Sequence, residues 1–295
     1  MATLRDIRRK IGAVKKTQQI TKAMNMVAAA KLRGAQQRME GFRPYAAAFA
    51  KMLGNMAGRV EPEIHPFFQQ AEPVERVGLV LMTADRGLCG SFNVNLINTA
   101  VKFIREKEAE GIEVSLICVG RKGRDFFRRR KREMLAQYVD VWNKFDFTNA
   151  VTVAREIMNA FMNGEVQEVH LIHSTFINMA IQRPYMVQLL PIKPAEAEVE
   201  EGAEAEGGGM EYLFEPPMEQ FLEYLLPKYI NVLVYHGFLE NAASEHAARM
   251  TAMDNAQSNC KEMINTLTLV MNKARQAAIT KELMDIVGGA EALKG

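Results

Sequence analysis

Apolar residues at the start of the chain fall at Leu4, Ile7, Ile11 and Val14, the alternating three and four steps of a helical seam. Ala, Met, Lys, Arg and Gln dominate from Thr3 to about Gly58, and no proline occurs before Pro44, so a helix is expected over that range. The next seam positions hold Gln18, Thr21 and Asn25, whereas Ile20, Met24 and Val27 carry an apolar stripe displaced around the helix. The expectation is a partner face that changes midway. At the other end, Asn241 to about Val287 contains neither proline nor glycine. Apolar residues recur there at Met250, Met253, Cys260, Ile264, Leu267, Met271, Ala274 and Ala278. Each helix would be on the order of 70 Å long at about 1.5 Å per residue, too long to hide inside a small domain. The two, over Thr3–Gly58 and about Pro217–Val287, are expected to pack on each other as an antiparallel pair.

Between them the period changes. Strand-like runs occur at Val77–Thr83, Glu113–Val119, Met134–Val141, Val169–Thr175 and Tyr185–Leu190. Helical stretches separate them at about Asn93–Glu110, Gly123–Arg132 and Thr148–Asn163. Such alternation predicts an α/β domain with a mostly parallel, doubly wound sheet. Its chain is interrupted by a Glu/Ala/Gly-rich loop, Ala195 to Gly209, with too little apolar content to fold alone and expected to be mobile on the outer rim.

Composition narrows the class. Of 295 residues, 48% are hydrophobic and 24% charged, an ordinary globular balance. The longest apolar runs, such as Val77–Met82, fall far short of the roughly 20 residues that span a bilayer, which points to a soluble or peripheral protein. The N-terminus is Arg-rich and acid-poor like a transit peptide, yet no serine precedes Ser91 and the helical pattern continues past Lys31, so it reads as mature structure. Cys89, Cys118 and Cys260 lack metal or redox spacing and read as plain buried thiols in a reducing compartment.

A formal charge of +2 hides segregation. Residues 1–60 hold thirteen Lys/Arg against Asp6 and Glu40, while Pro194–Pro227 holds ten Glu and no Lys, Arg or Asp. Charged partners are implied, without saying whether they are protein or nucleic acid.

Candidate chemistry in the middle is sparse. "GRKGRDF" lacks the third glycine of a dinucleotide fingerprint and the Gly-Lys-Ser/Thr of a P-loop, and "DRGLCG" has no accompanying dyad. His170 and His173 stand an odd number of residues apart on a strand, which sends them to opposite faces and argues against a shared metal ion. The run Arg128–Arg132, preceded by Phe126 and Phe127, could face nucleic acid, or it could be the C-terminal end of a helix whose dipole favours cations. The densest polar cluster lies near the chain end, where Arg275, Gln276, Thr280, Lys281 and Glu282 fall within two turns and suggest docking to something external.

Taken together, "LRDIRRKIGAVKKTQQITKAMNMVAAAKLRGAQ", "ADRGLCGSFN", "EYLFEP", "ENAASEHAARMTAMDNA" and "NKARQAAITKELMDIVGGAEAL" resemble the gamma subunit of F-type ATP synthases, with motifs at both ends and at several internal points. The resemblance implies a long antiparallel coiled coil of the N- and C-terminal helices plus a Rossmann-like doubly wound α/β domain. The implied divisions are an N-terminal shaft helix over 1–60, the α/β domain over 75–195, the acidic loop over 196–209, a return segment over 210–216 and a C-terminal shaft helix over 217–295. It further implies a non-catalytic central rotor, without cofactor or metal, that couples proton-driven rotation of a membrane ring to the nucleotide sites of the beta subunits. Ala28 to Ala30 would give clearance inside a sleeve of alpha and beta subunits, and Lys15, Lys16, Lys22 and Lys31 would meet acidic segments there. By position, Met24, Glu245, Arg249, Arg275, Gln276, Thr280 and Glu282 are implied beta-subunit contacts, and Tyr212 and Glu215 contacts to the rotor ring. The epsilon subunit is a further implied partner, and the cytoplasmic face of a bacterial inner membrane the implied location.

Two other readings follow from the residues alone. The basic N-terminal segment and Arg128–Arg132 would suit a nucleic-acid-binding tether, and the α/β sheet a nucleotide-dependent enzyme. Association with alpha and beta subunits would separate the first from the rotor, and turnover by the isolated chain would mark the second.

Overall fold

The computed structural model describes residues 3–57, 62–143, 145–192 and 218–292. The acidic loop, Tyr212 and Glu215 therefore lie outside the described residues. Two long helices, α1 (Leu4–Ala57) and α5 (Met218–Ala292), enclose an α/β order: β1 (Arg76–Met82), α2 (Phe92–Ala109), β2 (Glu113–Val119), α3 (Arg121–Arg129), β3 (Met134–Tyr138), α4 (Phe147–Met162), β4 (Glu168–Phe176) and β5 (Gln182–Leu190). The chain divides into two compact units, one of residues up to Ala29 and from Arg249 onward, the other Ala30–Ala248.

In the larger unit the sheet runs β3-β2-β1-β4-β5. The first four strands are parallel and β5 returns antiparallel to β4. β1 is apolar on both faces and buried from Val77 to Met82, as a central parallel strand must be. Because parallel crossovers are right-handed, α2 and α3, which step outward from β1, lie on one face, and α4, which leaps back across β1, lies on the other. On the first face Leu79, Leu81, Leu116 and Cys118 pack with Leu96, Ala100 and Phe103 of α2 and Phe127 of α3. The opposite face receives α5. A Cβ on its Gly237 would sit 3.1 Å from Leu171 Cδ2, and the adjacent Phe238 ring lies 5.1 Å from Trp142 and 5.7 Å from Phe145.

The glycines of "GRKG" serve this packing. Gly120 has φ 103°, and a side chain there would meet Thr83 O at 1.9 Å, so only glycine lets β1 and β2 close at their carboxyl ends. Gly123 N donates to Thr83 Oγ1 at 2.8 Å, and a Cβ on Gly123 would already touch that oxygen at 3.0 Å. Both glycines have a structural reason to be there.

Beyond its pairing with β1, which ends at Leu81↔Ile172, β4 continues alone on that side. Its exposed backbone is met by side chains of α5. Asn241 Oδ1 accepts from Ser174 N at 3.1 Å, Ser244 Oγ donates to Ser174 O at 3.1 Å, and Glu240 Oε2 accepts from Phe176 N at 2.8 Å. Ser174 lies opposite Pro184 of β5. Since the polar backbone of Ser174 turns toward α5, that of Pro184 turns outward, where its missing N–H leaves no gap in the β4–β5 ladder. In a doubly wound sheet the crevice at this reversal of strand order is where ligands bind. Here α5 occupies it.

The run Arg128–Arg132 caps α3. Arg129 Nε donates to Asp125 O at 3.1 Å, Arg130 stacks 3.6 Å over the Phe126 ring, and Arg132 pairs with Glu108 of α2. Phe127 is buried, so the two rings pack instead of waiting for bases. The histidines do part to opposite faces: His170 lies 4.9 Å from Phe103 of α2 and 3.1 Å from Glu168, while His173 lies 6.4 Å from His236 of α5.

His173 predicts a pH effect. Burial pushes its pKa down to about 4, and His236 beside it is lowered by burial as well. Glu240 and Tyr185 complete its surroundings. Between about pH 6.5 and about pH 4 the unfolded chain takes up a proton that the folded imidazole refuses, so stability falls as the pH falls through that window. The contribution is on the order of 3 kcal/mol. Urea unfolding of the full chain across this window should show the loss, and His173→Leu should make the slope shallower. An unchanged slope would contradict a buried neutral His173.

The thiols differ. Cys118 is pushed up to about 12 by burial, Cys89 Sγ accepts from Asn93 Nδ2 at 3.1 Å, and Cys260 is half-buried on α5.

Candidate partner-binding surface

In the smaller unit the first part of α1 and the last part of α5 pair along complementary seams. On α1 the less exposed positions include Leu4, Ile7, Ile11, Val14, Gln18, Thr21, Asn25 and Ala28, an unbroken heptad series. On α5 they include Met250, Met253, Gln257, Cys260, Ile264, Leu267, Met271, Ala274 and Ala278, again without a break in the three-four alternation. Asn25 Nδ2 donates to Met250 O at 2.9 Å. Because Ile7 is also buried and α5 enters this unit only at Arg249, the pair must run antiparallel, earlier α1 residues facing later α5 residues.

This corrects the expected change of face. Ile20 and Val27 of the displaced stripe are 59% and 57% exposed, whereas Thr21 in the original seam is only 8% exposed. Two of the polar side chains can stay inside because they find carbonyl acceptors. Thr21 Oγ1 donates to Gln18 O at 3.0 Å, and Asn25 reaches the facing helix. Partner contact and apolar surface are therefore separate matters on α1: the displaced stripe is outward-facing surface. Met24, between the two, is half-buried. Lys15, Lys16, Lys22 and Lys31 are exposed. Of the small residues, Ala28 is buried in the seam, Ala29 half-buried and Ala30 exposed.

The other positions divide sharply. Arg275, Gln276, Thr280 and Glu282 are exposed. With Asn25 opposite Met250, an in-register pair places Leu4 opposite Met271, so the remainder of α5 outruns α1. From Ile279 to Ala290 every residue is exposed. Ile279, Leu283, Met284, Ile286 and Val287 are each at least 55% exposed, a bare apolar segment about 18 Å long at 1.5 Å per residue. Arg249 is half-buried in this unit. Glu245, in the larger unit, is only 5% exposed.

Sequence reasoning missed Arg43, Glu240, Asn241 and Ser244. Arg43 Nη2 of α1 lies 2.9 Å from Glu240 Oε1 of α5, and the Glu240 side chain is only 2% exposed. A buried acidic residue inside a long apolar run was the one available signal. Among the described residues no cluster of His, Cys, Asp and Glu could hold a metal ion, and no helix is long and apolar enough to cross a membrane.

Comparison with known proteins fits this geometry. Residues 3–293 match the ATP synthase family profile. The ATP synthase gamma chain of Syntrophobacter fumaroxidans is 54% identical over 295 residues, covering 100% of both chains. That of Nitratidesulfovibrio vulgaris strain Miyazaki F is 52% identical, again over 100% of both. Among solved structures, a rotor chain of the Euglena gracilis mitochondrial ATP synthase shares the fold at a TM-score of 0.66 and 21% identity, covering 94% of this chain and 98% of that one. A chain of the same organism's OSCP/F1/c-ring assembly gives a TM-score of 0.67 at 21% identity, covering 98% and 94%. With a full-length family match and relatives above half identity, the chain belongs to the ATP synthase gamma chain family.

Proposed function

We propose that the chain is the central, non-catalytic rotor shaft of a proton-translocating ATP synthase, converting rotation of a membrane rotor ring into conformational change at the beta-subunit nucleotide sites. Family membership supports the assignment, and one observation carries the mechanism: the end of α5 presents bare Ile279, Leu283 and Ile286 beside exposed Arg275, Gln276, Thr280 and Glu282. Apolar area of that kind is stable only inside something. A sleeve of alternating alpha and beta subunits supplies it. Tyr212 and Glu215 serve as contacts to the rotor ring, the epsilon subunit binds the α/β unit, and the whole is peripheral to the cytoplasmic face of a bacterial inner membrane. In functional terms, residues 1–60 and 217–295 are the shaft and 75–195 the head.

A single shaft meets three chemically identical beta subunits differently at any angle, so each step biases one site between open and closed. Reversing a strongly biased site takes about 5 kcal/mol of differential contact. An exposed ion pair supplies only about 0–1 kcal/mol, so distributed apolar contact carries most of the torque and the charged residues set register. Met24→Lys tests this. An ammonium reaching from its half-buried position to an acidic beta segment would hold one angle too tightly, through a contact worth roughly 1.5–3 kcal/mol. In inverted vesicles carrying the assembled complex, ATP-driven proton pumping should fall more than ATP hydrolysis. An equal fall in both would refute it.

A further inference from the structure

We propose that Glu240, Asn241 and Ser244 form a torque-bearing clamp that fixes the roll angle of α5 on the sheet, with Glu240 as the residue that also ties in α1 through Arg43. The inference rests on the rotor reading, since a clamp bears torque only if the chain turns.

The argument is geometric. A helix lying on a sheet through apolar contact alone can roll at small cost, because dispersion and burial have no preferred direction. Hydrogen bonds do. Within little more than one turn of α5, three side chains engage the backbone of Ser174 and Phe176 at 2.8 to 3.1 Å. That stretch of β4 is held on its other side by β5 and cannot follow a rolling helix. Glu240, Asn241 and Ser244 are all buried, so broken bonds there find no water in exchange.

Glu240 does more than complete the strand. One carboxylate oxygen, Oε2, takes the Phe176 N–H, and the other, Oε1, takes Arg43 Nη2 at 2.9 Å and Nε at 3.3 Å. His236 Nε2, one turn earlier on α5, stands 3.7 Å from the same Oε1. One carboxylate thus joins α1, α5 and β4. An amide in its place has a single acceptor oxygen and can satisfy Phe176 or Arg43, not both. The chemistry of a carboxylate, with two acceptors and a charge to hold a guanidinium, fits this node.

The test uses the assembled complex in inverted vesicles, with subunit incorporation checked and ATP hydrolysis and proton pumping measured on one sample. Glu240→Leu should lower protons pumped per ATP about fivefold, the scale expected for losing directional buried bonds, while hydrolysis persists. Glu240→Gln, which keeps an acceptor for Phe176, should recover part of that ratio. Arg43→Met strands the buried carboxylate and should also lower the ratio, and adding Glu240→Gln to it should restore some coupling instead of compounding the loss. A role in folding alone would lower incorporation and both activities together, with an unchanged ratio, and that result overturns the clamp. Normal ratios in Glu240→Leu and Arg43→Met overturn it too. If wild-type chain fails to join alpha and beta subunits or to support pumping, the rotor reading falls and takes the clamp with it.

Discussion

In the free chain, backbone amides of Ile279 to Ala290 should exchange with solvent at least about a thousandfold faster than those of Phe238 to Ala247, although both lie on one helix. The reason is packing. Phe238, Ala243 and Ala247 are fully buried against the sheet unit, so their amides open only when that unit unfolds. The last residues of α5 have no described neighbour to cover them. A helical end of about a dozen residues without tertiary support is marginal in water, because propensity alone rarely offsets the entropy of ordering it. Addition of alpha and beta subunits should slow exchange in this segment and leave Phe238 to Ala247 nearly unchanged. Strong protection of Ile279 to Ala290 in the free chain would mean that something within the chain covers it, and would count against the sleeve.

The second large effect is expected at Phe238. Its ring is fully buried and meets Trp142 and Phe145, so Phe238→Ala removes most of an aromatic side chain from the contact between α5 and the sheet unit. Neighbours that are themselves aromatic and wedged between elements cannot collapse far into the space, and the cost should be about 4 kcal/mol. Trp142 is the single tryptophan, so its fluorescence reports this contact directly in a denaturant titration. The midpoint should fall, with an early change in emission. A loss below about 1 kcal/mol would mean that the cavity closes and that the aromatic cluster is not the principal tie.

Much of the fold was legible because its signals are local. β1 and β2 announce themselves as short apolar runs, and the observed Arg76–Met82 and Glu113–Val119 lie within one residue of the expected strands. The long helices follow from composition and the scarcity of breakers, though α1 continues through Pro44 and α5 through Pro227. The seam of α1 departs from the hydrophobic pattern for a physical reason. Hydrophobicity locates the stripe at Ile20 and Val27, but Thr21 is buried and Asn25 half-buried in the seam, where their polar groups find carbonyl acceptors, one of which lies on another helix. Beyond the oddity of an acidic residue in an apolar run, the Glu240 node was not legible, since its partners Arg43 and Phe176 lie 197 and 64 residues away. Pairings of that span leave no periodic trace. Of the candidate surface, Arg275 to Glu282 stood out as a tight polar cluster, while the apolar residues that follow read only as continuing helix.

The proline at position 184 has a bearing on the life of the chain before assembly. A gamma chain waiting for its partners is present at some concentration, and among the described residues β5 is the last strand in the sheet order, with no further strand beside it. Two such edge strands could zip together, chain to chain, into a continuous sheet that no later partner could undo. Pro184 places a gap in the middle of the outward row of donors, and Arg183 beside it adds an exposed charge. Both features oppose edge-to-edge pairing between copies that have not yet met their partners.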